Sequence, residues 1–231
     1  MVKRFLVLLV LIFFTIMIIP LITDVQPQTE LNSLAKKYVK DGSDELGGAN
    51  LVTSVIVTYR GLDTLGEVAV LFIATAGVGF LLRRRKKALS KPVKKRESSE
   101  ILQTGTLLLM PLILLFGVYI FLHGHLTPGG GFQGGVVIAS GILLSFLARP
   151  QSELNHTVLH TIESLSGAFY IVIGVLGIYL AAGFLDNRIM PLGDFGRLFS
   201  AGAIPIIYSL IGLKVGSELV GILDSMQRSE L

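Results

Sequence analysis

The sequence predicts an all-α integral membrane protein with about six transmembrane helices, and three observations lead to that prediction. Hydrophobic residues make up 52% of the 231 residues and charged residues only 16%, whereas about a quarter of a soluble domain is charged. Several stretches of about 18 or more residues carry few or no charges, which is enough to cross ~30 Å of hydrocarbon as a helix. These stretches are continuously apolar instead of alternating, which argues against a membrane β-barrel.

The first predicted span follows the basic residues Lys3 and Arg4 and covers the apolar stretch 5–22. A secretory signal peptide has a similar pattern, but this run exceeds a usual h-region and no small-x-small cleavage site follows it. We therefore interpret the run as a transmembrane helix. The polar and charged residues 23–49 are expected to form an extramembrane loop.

A second span is predicted over residues 65–82. The apolar segment 50–59 before it is too short to span, so we predict an interfacial or re-entrant segment there. Nine Lys or Arg residues follow the span between positions 83 and 96. This basic run directly follows a span and has no interleaved aromatic residues, so the positive-inside rule explains it better than nucleic-acid binding does.

The remaining sequence predicts four more spans and a consistent topology. Six spans place both termini, the basic run and Arg149 on the cytoplasmic side, and the loops 23–64, 123–131 and 185–198 on the outer side. The four further spans are predicted at 104–122, 132–148, 163–184 and 199–222.

The basic run also divides the chain into predicted parts: a two-helix membrane segment at 1–88, a cytoplasmic linker at 89–100 and a four-helix domain at 101–231. Glycine is frequent inside the spans, and small residues let helices approach closely in lipid. We therefore expect close helix packing, within this chain or against neighbouring subunits, at Gly77, Gly79, Gly134, Gly135, Gly174, Gly177, Gly212, Gly216 and Gly221.

The sequence contains no cysteine, which excludes disulfides, iron–sulfur ligation and thiol catalysis by this chain. Any redox cofactor is therefore expected on another subunit. We expect no metal site in this chain and no catalytic activity of the chain alone.

Two ionisable residues fall inside the last predicted span, where charges are costly and therefore mark candidate functional sites. Lys214 and Glu218 lie four residues apart, on one helix face and within pairing distance. The spacing is compatible both with a salt bridge that only neutralises two charges and with a pair that titrates as ions move nearby. Tyr208 precedes Lys214 by six residues and is placed to extend a chain of titrating groups.

A second pair of ionisable residues lies at the start of the second predicted span. Asp63 and Glu67 are also four residues apart, and two carboxylates on one face can bind Na⁺ with backbone carbonyls or relay a proton. The alternative is that Asp63 caps the helix while Glu67 complements its N-terminal dipole, which does not exclude a proton role for Glu67.

His156, His160 and Glu163 form a third group, at the cytoplasmic mouth of a predicted span. The two histidines have a spacing that suits zinc on a helix, but no nucleophile, general base or further ligand accompanies them. We interpret Glu163 as the candidate proton-uptake group. A metalloenzyme that also used His123 and His125 is disfavoured, because the topology places the two histidine pairs about 30 Å apart.

The stretch "HGHLTPGGGFQGG", residues 123–135, predicts a tight outer turn between two spans. Its proline cannot continue a helix, and its glycines permit conformations closed to other residues. His123 and His125 point to different helix faces, which disfavours a metal site, and both are candidates for a proton exit. The residues expected to form the turn are Pro128, Gly129, Gly130 and Gly131.

This same stretch also carries a family resemblance. Residues 102–144, with the run H-G-H-x-x-P-G-G-G-F-x-G-G, resemble the MnhB domain of Mrp-type multisubunit Na⁺/H⁺ antiporters, and 211–223 resembles the end of that domain. Residues 50–78 resemble the carboxyl-terminal part of the large MnhA-type component of those antiporters. A similar piece is a small independent subunit in the archaeal membrane-bound hydrogenase and its sulfur-reducing relative.

The resemblance implies a non-catalytic subunit of a Na⁺- and H⁺-translocating module in the cell membrane, with other membrane subunits as partners. The MnhA-like piece lacks the many helices that precede it in the large component. We therefore expect a ferredoxin-driven complex, a hydrogenase or a sulfane reductase, in preference to a stand-alone antiporter. A purely structural scaffold is the remaining alternative. The resemblance also ties the region of Asp63 and Glu67 to cation or proton passage.

Overall fold

The computed structural model describes residues 2–23, 30–86, 98–151 and 154–229, and within them the regular elements are helices. The all-α prediction is confirmed, and six helices are long and apolar enough to cross a membrane. These six are α1 (Val2–Thr23), α4 (Gly61–Lys86), α5 (Glu100–Leu122), α6 (Gly131–Ala148), α7 (His156–Leu180) and α8 (Ile204–Ser229). The others are α2 (Ser33–Leu46), α3 (Leu51–Ser54), a π-helix (Val55–Tyr59) and a 3₁₀ helix (Asn187–Ile189).

The chain forms two compact units that divide between Lys37 and Tyr38. In the first unit, α1 is apolar except at its basic start and two threonines. Thr15 and Thr23 each donate a hydroxyl hydrogen bond to the carbonyl four residues earlier, at 2.8 and 3.0 Å. These bonds satisfy the hydroxyl groups inside the helix itself, so the threonines do not conflict with an apolar environment.

The second unit is a bundle of helices around α8, which contacts α4, α5, α6 and α7. Its buried side chains recur every three or four residues, as on Ile204, Ile207, Ile211 and Val215. This spacing lines up one helix face. The result is a central helix whose polar residues are enclosed by its neighbours.

Hydrogen bonds identify the two ends of the bundle. At one end, here called the linker end, the side chain of Gln227 donates to the carbonyl of Pro150 at 3.0 Å, and Ser98 donates to the carbonyl of Ala148. At the opposite end, here called the loop end, α3 contacts the turn between α5 and α6, as the Asn50 side chain donates to the Gly124 carbonyl at 2.9 Å. Which end faces the cytoplasm stays a prediction, and most of the basic run, residues 87–97, lies outside the described residues.

Glycine permits the close contact between α6 and α8. A Cβ added at Gly135 would lie 2.8 Å from the carbonyl oxygen of Gly212 and 2.9 Å from the nitrogen of Gly216. Small residues therefore set the distance between these helices. By contrast, no described residue lies within 4 Å of a Cβ added at Gly77 or Gly79 on α4, so the close packing expected there is not made within the described part of this chain.

Four predicted boundaries are wrong. The predicted loop 23–49 contains α2, a polar helix of which only Gly42 and Leu46 are buried, so it has no apolar run to mark it. Helix α7 begins at His156 instead of 163, because the Asn155 side chain caps it by accepting from the nitrogen of Val158 at 3.2 Å. Such capping starts a helix ahead of its apolar stretch.

The remaining corrections concern turns. Helix α8 begins at Ile204 instead of 199, since Ala201 and Gly202 adopt φ angles of +60° and +58°, which a right-handed helix does not contain. The turn before α6 ends at Gly130, which has φ +153°, and Gly131 is already the first residue of α6. Within that turn, Gly130 is the residue whose positive φ angle requires a glycine.

Candidate functional site

Three ionisable side chains meet inside the bundle and are called here the central charge cluster: Glu163, Lys214 and Glu218. The Nζ atom of Lys214 lies 2.5 Å from Oε1 of Glu218 and 3.9 Å from Oε1 of Glu163. The side chain of Glu218 is fully buried and that of Lys214 is 12% exposed. The pairing of Lys214 and Glu218 has the expected i, i+4 geometry, and α7 adds a second carboxylate to it.

Helices α4, α7 and α8 all contribute to the surroundings of Lys214. Its Nζ atom lies 5.2 Å from the ring centroid of Phe72 on α4, a distance at which an aromatic face attracts a cation. On α7, a Cβ added at Gly167 would lie 3.1 Å from Cδ of Lys214, so the lysine stem occupies the space that this glycine leaves. Lys214 lies about 15 Å along α8 from its first residue, near the middle of the spanning segment.

The cluster continues toward the linker end along α7. The Nδ1 atom of His160 lies 3.4 Å from Oε2 of Glu163, and the His160 side chain is 72% exposed. A separate pair follows nearer that end, where Nε2 of His156 lies 3.7 Å from Oδ2 of the buried Asp224. The two histidines thus face two different carboxylates. Across the described residues, no group of three or more His, Cys, Asp or Glu residues has the geometry to hold a metal ion.

Two buried oxygen atoms near the cluster have no hydrogen-bond partner among the described residues: Oε2 of Glu218 and the hydroxyl of Tyr170. Unpaired polar atoms in a bundle interior are costly and mark places where a proton or another ligand is accommodated. Two carboxylates that share one lysine form a coupled system, in which the protonation of one depends on the position of the positive charge.

Asp63 and Glu67 lie nearer the loop end and outside the central charge cluster. Asp63 is in the first turn of α4 and pairs with Arg60, so it does not occupy the N-cap position considered for it. Glu67 is exposed in this chain, and its carboxylate interacts electrostatically with Tyr170 and Tyr208 in the interior. Glu67, like Asp63, is therefore an acidic residue that the fold leaves exposed on α4.

A cavity of about 480 Å³ opens beside Asp63 at the loop end, and its charged lining is Arg60, Asp63, Asp186 and Arg188. Arg188 lies 2.5 Å from Oδ2 of Asp186. Burial alone would raise the pKa of Asp186, but hydrogen bonds from Arg188 and from the nitrogen of Ala182 outweigh it and lower that pKa. Both carboxylates of this cavity are thus paired with arginine, and Asp186 is held ionised.

A further polar contact borders this cavity. The Tyr59 hydroxyl donates a hydrogen bond to Glu45, and burial together with that contact raises the pKa of Tyr59. The ring of Tyr59 also stacks on Tyr38 at 5.0 Å. Tyr59 therefore stays protonated and joins α2 to the end of the π-helix.

The turn between α5 and α6 is held by α3 and its cap. The side chain of Asn50 donates to the carbonyls of Gly124 and Thr127 at 2.9 and 3.0 Å, and its backbone nitrogen donates to the carbonyl of His125 at 2.9 Å. Thr53 adds a hydroxyl bond to Gly124 at 2.6 Å. Three carbonyls of the turn are thereby paired within the chain itself.

The two histidines of this turn have different surroundings. His123 stacks on Tyr119 at 4.2 Å, and its Nδ1 atom lies 3.2 Å from the Tyr119 carbonyl. His125 is fully buried, with Nε2 3.3 Å from the carbonyl of Arg197. That burial lowers the pKa of His125. A neutral imidazole that donates from Nε2 fits these contacts, and its role as a proton exit stays a prediction.

Asn187 organises the segment between α7 and α8. Its buried side chain donates to the carbonyls of Leu46 and Ala201 at 2.8 and 2.9 Å. Its backbone carbonyl accepts from the nitrogen of Ala203 at 3.0 Å. Asn50 and Asn187, with these partners, are called here the loop-end network.

Comparison with known proteins identifies the family. Residues 101–221, more than half of the chain, match the family described as "Domain related to MnhB subunit of Na+/H+ antiporter". The chain belongs to this MnhB-related family. Residues 3–97 match a second family, MbhE, which is described as a component of MBH. The resemblance of 102–144 and 211–223 to the MnhB domain is thus confirmed.

Curated relatives cover different shares of this MnhB-related chain. An uncharacterised protein of Methanocaldococcus jannaschii is 29% identical over 215 residues, which is 80% of this chain and 81% of that protein. The MnhB-type component of the Na⁺/H⁺ antiporter of Bacillus subtilis is 40% identical over 88 residues, which is 38% of this chain and 56% of that protein. The second match is therefore a partial one for both proteins.

Two solved structures share the fold over nearly the whole chain. A chain of the membrane-bound sulfane sulfur reductase, an archaeal respiratory membrane complex, is 42% identical, with a TM-score of 0.79 and 98% of both chains covered. A chain of the Mrp complex from Dietzia sp. has a TM-score of 0.78 at 23% identity, covering 97% of this chain and 26% of that one. The latter likeness concerns the fold alone.

The family boundaries place the central charge cluster at the contact between the two matched regions. Glu163, Lys214 and Glu218 belong to the MnhB-related region, whereas Phe72 and Glu67 belong to the MbhE-matching region. Lys214 contacts Phe72 across this boundary. The site therefore depends on both regions and is not a property of the MnhB-related part alone.

Sequence reasoning missed several residues that the fold brings into these sites. Tyr170 reads as one more aromatic residue in an apolar helix, and its seven-residue spacing from Glu163 was the available signal, since it places both on one face. Asn50 and Asn187 read as ordinary loop residues. Only the fold reveals that their side chains bind backbone carbonyls far away in the sequence.

Proposed function

We propose that this chain is a membrane subunit of the ion-translocating module of a respiratory complex like the membrane-bound sulfane sulfur reductase. The observation that supports it most strongly is the similarity to one chain of that complex over nearly the full length of both. In that arrangement the chain sits in the cell membrane, its partners are other membrane subunits, and its translocated ions are Na⁺ and H⁺.

Within that complex the chain is non-catalytic. Its sequence has no cysteine, and the chemistry of its central cluster is limited to charge and proton handling by carboxylates, a lysine and a tyrosine. The central charge cluster contributes to an ion path by changing its protonation or its pairing as an ion moves nearby. The redox reaction takes place on other subunits.

A stand-alone Na⁺/H⁺ antiporter is the second candidate. It is supported by the MnhB-related family and by the partial match to the Bacillus subtilis antiporter component. Its weakness is the region at 3–97, which matches MbhE as a separate family and is here part of the same chain. That combination favours the respiratory complex.

Copurification distinguishes the two candidates. A tagged chain is isolated from its native membranes in mild detergent, and the bound subunits are identified by mass spectrometry. The respiratory assignment predicts a redox subunit with iron–sulfur clusters among the partners, with either a hydrogenase or a sulfur-reducing subunit. Recovery of antiporter subunits alone would replace it with the second candidate.

A transport measurement separates an ion-handling subunit from a scaffold. Glu218→Gln in the assembled complex is expected to lower Na⁺-dependent pumping into membrane vesicles while the complex still copurifies. A double Lys214→Met, Glu218→Gln variant removes both charges and leaves no unpaired lysine. Normal pumping by this double variant, at normal assembly, would show that the chain only joins its neighbours.

A further inference from the structure

Tyr170 lies between the central charge cluster and Glu67. It follows Gly167 by three residues on α7, and Gly167 contacts the stem of Lys214. Residues three and four apart lie on one helix face, so Glu163, Gly167 and Tyr170 form a single line along α7. Tyr170 is thus one turn beyond the lysine on the side of the loop end.

The hydroxyl of Tyr170 is buried and unpaired. The residue is 2% exposed, and its oxygen has no hydrogen-bond partner among the described residues. A buried tyrosine usually finds a partner for its hydroxyl, because the uncompensated loss of hydration is costly. Phenylalanine would fill the same space without that cost, so packing alone does not explain the hydroxyl.

Glu67 provides the next charged group toward the loop end. Its carboxylate is near enough to interact electrostatically with Tyr170. Glu67 precedes Phe72 by five residues on α4, and Phe72 marks the level of Lys214. At about 1.5 Å per residue, Glu67 is about 7.5 Å nearer the loop end than Phe72. The ionisable groups therefore follow one another in order from one end of the bundle toward the other.

We propose that Tyr170 is the proton-transferring link that joins the central charge cluster to Glu67, so that this chain carries a proton path between α7, α8 and α4. The path begins at the exposed His160 and passes Glu163 and Lys214, with Glu218 as the counter-charge of the lysine, before it reaches the tyrosine. This proposal rests on the proposed function and names the ion that the chain itself conducts.

Each transfer along this path conserves protons and charge. An N–H bond of the Lys214 ammonium breaks as an O–H bond forms on the Tyr170 oxygen, while the original hydroxyl proton moves on to the Glu67 carboxylate, so that the tyrosine stays neutral throughout. The amine regains a proton from the side of Glu163 and His160. Glu218 stays a carboxylate and pairs again with the re-formed ammonium. Rotation of side chains or a bridging water spans the longer steps.

Na⁺ does not suit this site. A hard cation is bound by several oxygen ligands, and oxygen-rich sites are built from carboxylates and carbonyls without a cation in contact. Here the lysine Nζ lies 2.5 Å from one carboxylate and 3.9 Å from the other, so its positive charge competes directly with a metal ion. A proton has no such requirement and needs only a chain of donors and acceptors.

Among the described residues, the other ionisable groups near this path have partners of their own or lie away from it. Tyr208 on α8 also interacts with Glu67, but its hydroxyl already has a side-chain hydrogen bond with Thr53 of α3. His156 pairs with Asp224 nearer the linker end. Helix α6 has no ionisable residue in its sequence.

The test is Tyr170→Phe in the assembled complex, with Tyr179→Phe as its matched control. Both changes remove one hydroxyl from α7, but Tyr179 is 80% exposed, whereas Tyr170 is 2% exposed. Tyr170→Phe is expected to lower pumping about tenfold or more, in line with the loss of a positioned proton donor. Tyr179→Phe should pump as the unmodified complex does. Pumping is followed in vesicles by a pH-sensitive dye and by radioactive Na⁺ uptake.

Two further measurements separate a proton link from other roles. The ratio of pumping rates in H₂O and D₂O should change in Tyr170→Phe, because proton transfer through this path becomes rate-limiting, while the Na⁺ concentration for half-maximal rate stays the same. A raised half-maximal Na⁺ concentration with an unchanged isotope ratio would make the hydroxyl a Na⁺ ligand and overturn the proposal. Normal pumping by Tyr170→Phe would overturn it as well.

The outcome is distinguishable from failure of the proposed function. If the chain is only a scaffold, both Tyr170→Phe and the double Lys214→Met, Glu218→Gln variant pump normally. If it conducts ions by another route, the double variant is impaired and Tyr170→Phe is not. A Gly167→Ala variant, whose Cβ would lie 3.1 Å from Cδ of Lys214, should reduce pumping with Tyr170 intact, since it restricts the lysine that feeds the link.

Discussion

The central charge cluster and the loop-end network are both built from buried polar residues, but they differ in how completely those residues are paired. In the loop-end network, the side-chain nitrogens of Asn50 and Asn187 each donate to two carbonyls. In the cluster, Lys214 is shared by two carboxylates, and one oxygen of Glu218 has no partner in the described part of the chain. A satisfied network stabilises one conformation, whereas an incompletely paired one retains the capacity to take up a proton or change partners.

The largest effect is expected when the charge balance of the cluster is broken. Lys214→Met leaves the buried carboxylate of Glu218 without its counter-charge, which costs about 3–5 kcal/mol in comparable buried pairs. The assembled complex should therefore lose its subunits at a distinctly lower temperature. Thermal inactivation in detergent, followed by size-exclusion chromatography, measures this.

The double variant Lys214→Met, Glu218→Gln provides the comparison for that loss. With both charges absent, most of the stability should return while pumping remains low. Equal destabilisation by the single and double variants would mean that packing of the lysine stem, and not charge, dominates at this position. The incomplete pairing of charges would then not be what distinguishes the central charge cluster from the loop-end network.

The second-largest effect is expected in the loop-end network. Asn187→Ala removes the donors to the carbonyls of Leu46 and Ala201 and is expected to cost about 2–4 kcal/mol, because both acceptors stay buried. Pumping per assembled complex should be unchanged. Asn155→Ala, which removes the exposed cap of α7, should cost only about 1 kcal/mol. A transport defect in Asn187→Ala at normal assembly would give the network a functional role that its geometry does not require.

These two regions also mark how far the sequence predicts the molecule. The six spans follow from continuous apolar length, and the pairing of Lys214 with Glu218 follows from the helical period, since both are local properties of the chain. Tyr170 and Asn187 could not be recognised in that way, because their importance depends on groups brought together from distant helices. Helix α2 was not predicted for a related reason. Its few buried residues are defined by tertiary contacts and not by an apolar run.

A third, smaller effect concerns the helix contact that supports both regions. Gly135→Ala would place a Cβ 2.8 Å from the Gly212 carbonyl and should cost about 1–3 kcal/mol by forcing α6 and α8 apart. Gly77→Ala on α4 meets no described residue within 4 Å and should be neutral in the isolated chain. The measurement is the thermal midpoint of each variant. A loss at Gly77 that occurs only in the complex would locate a contact with a neighbouring subunit.

The smallest effect is a pH dependence that originates at the loop end. Burial lowers the pKa of His125 in the folded chain, whereas the unfolded imidazole titrates near about 6.5. Below that pH the unfolded state binds the proton that the folded state rejects, so stability falls as pH decreases from about 6.5 toward the folded pKa, by up to about 1.4 kcal/mol per pH unit. Thermal midpoints at about pH 7.5 and about pH 5.5, on either side of that titration, should therefore differ less in His125→Gln than in the unmodified chain. His123→Gln retains His125 and should keep the full difference. If His125→Gln leaves the pH dependence intact, the buried imidazole does not contribute to it, and the acid sensitivity of the fold must be assigned to the carboxylates of the cavity or the central charge cluster.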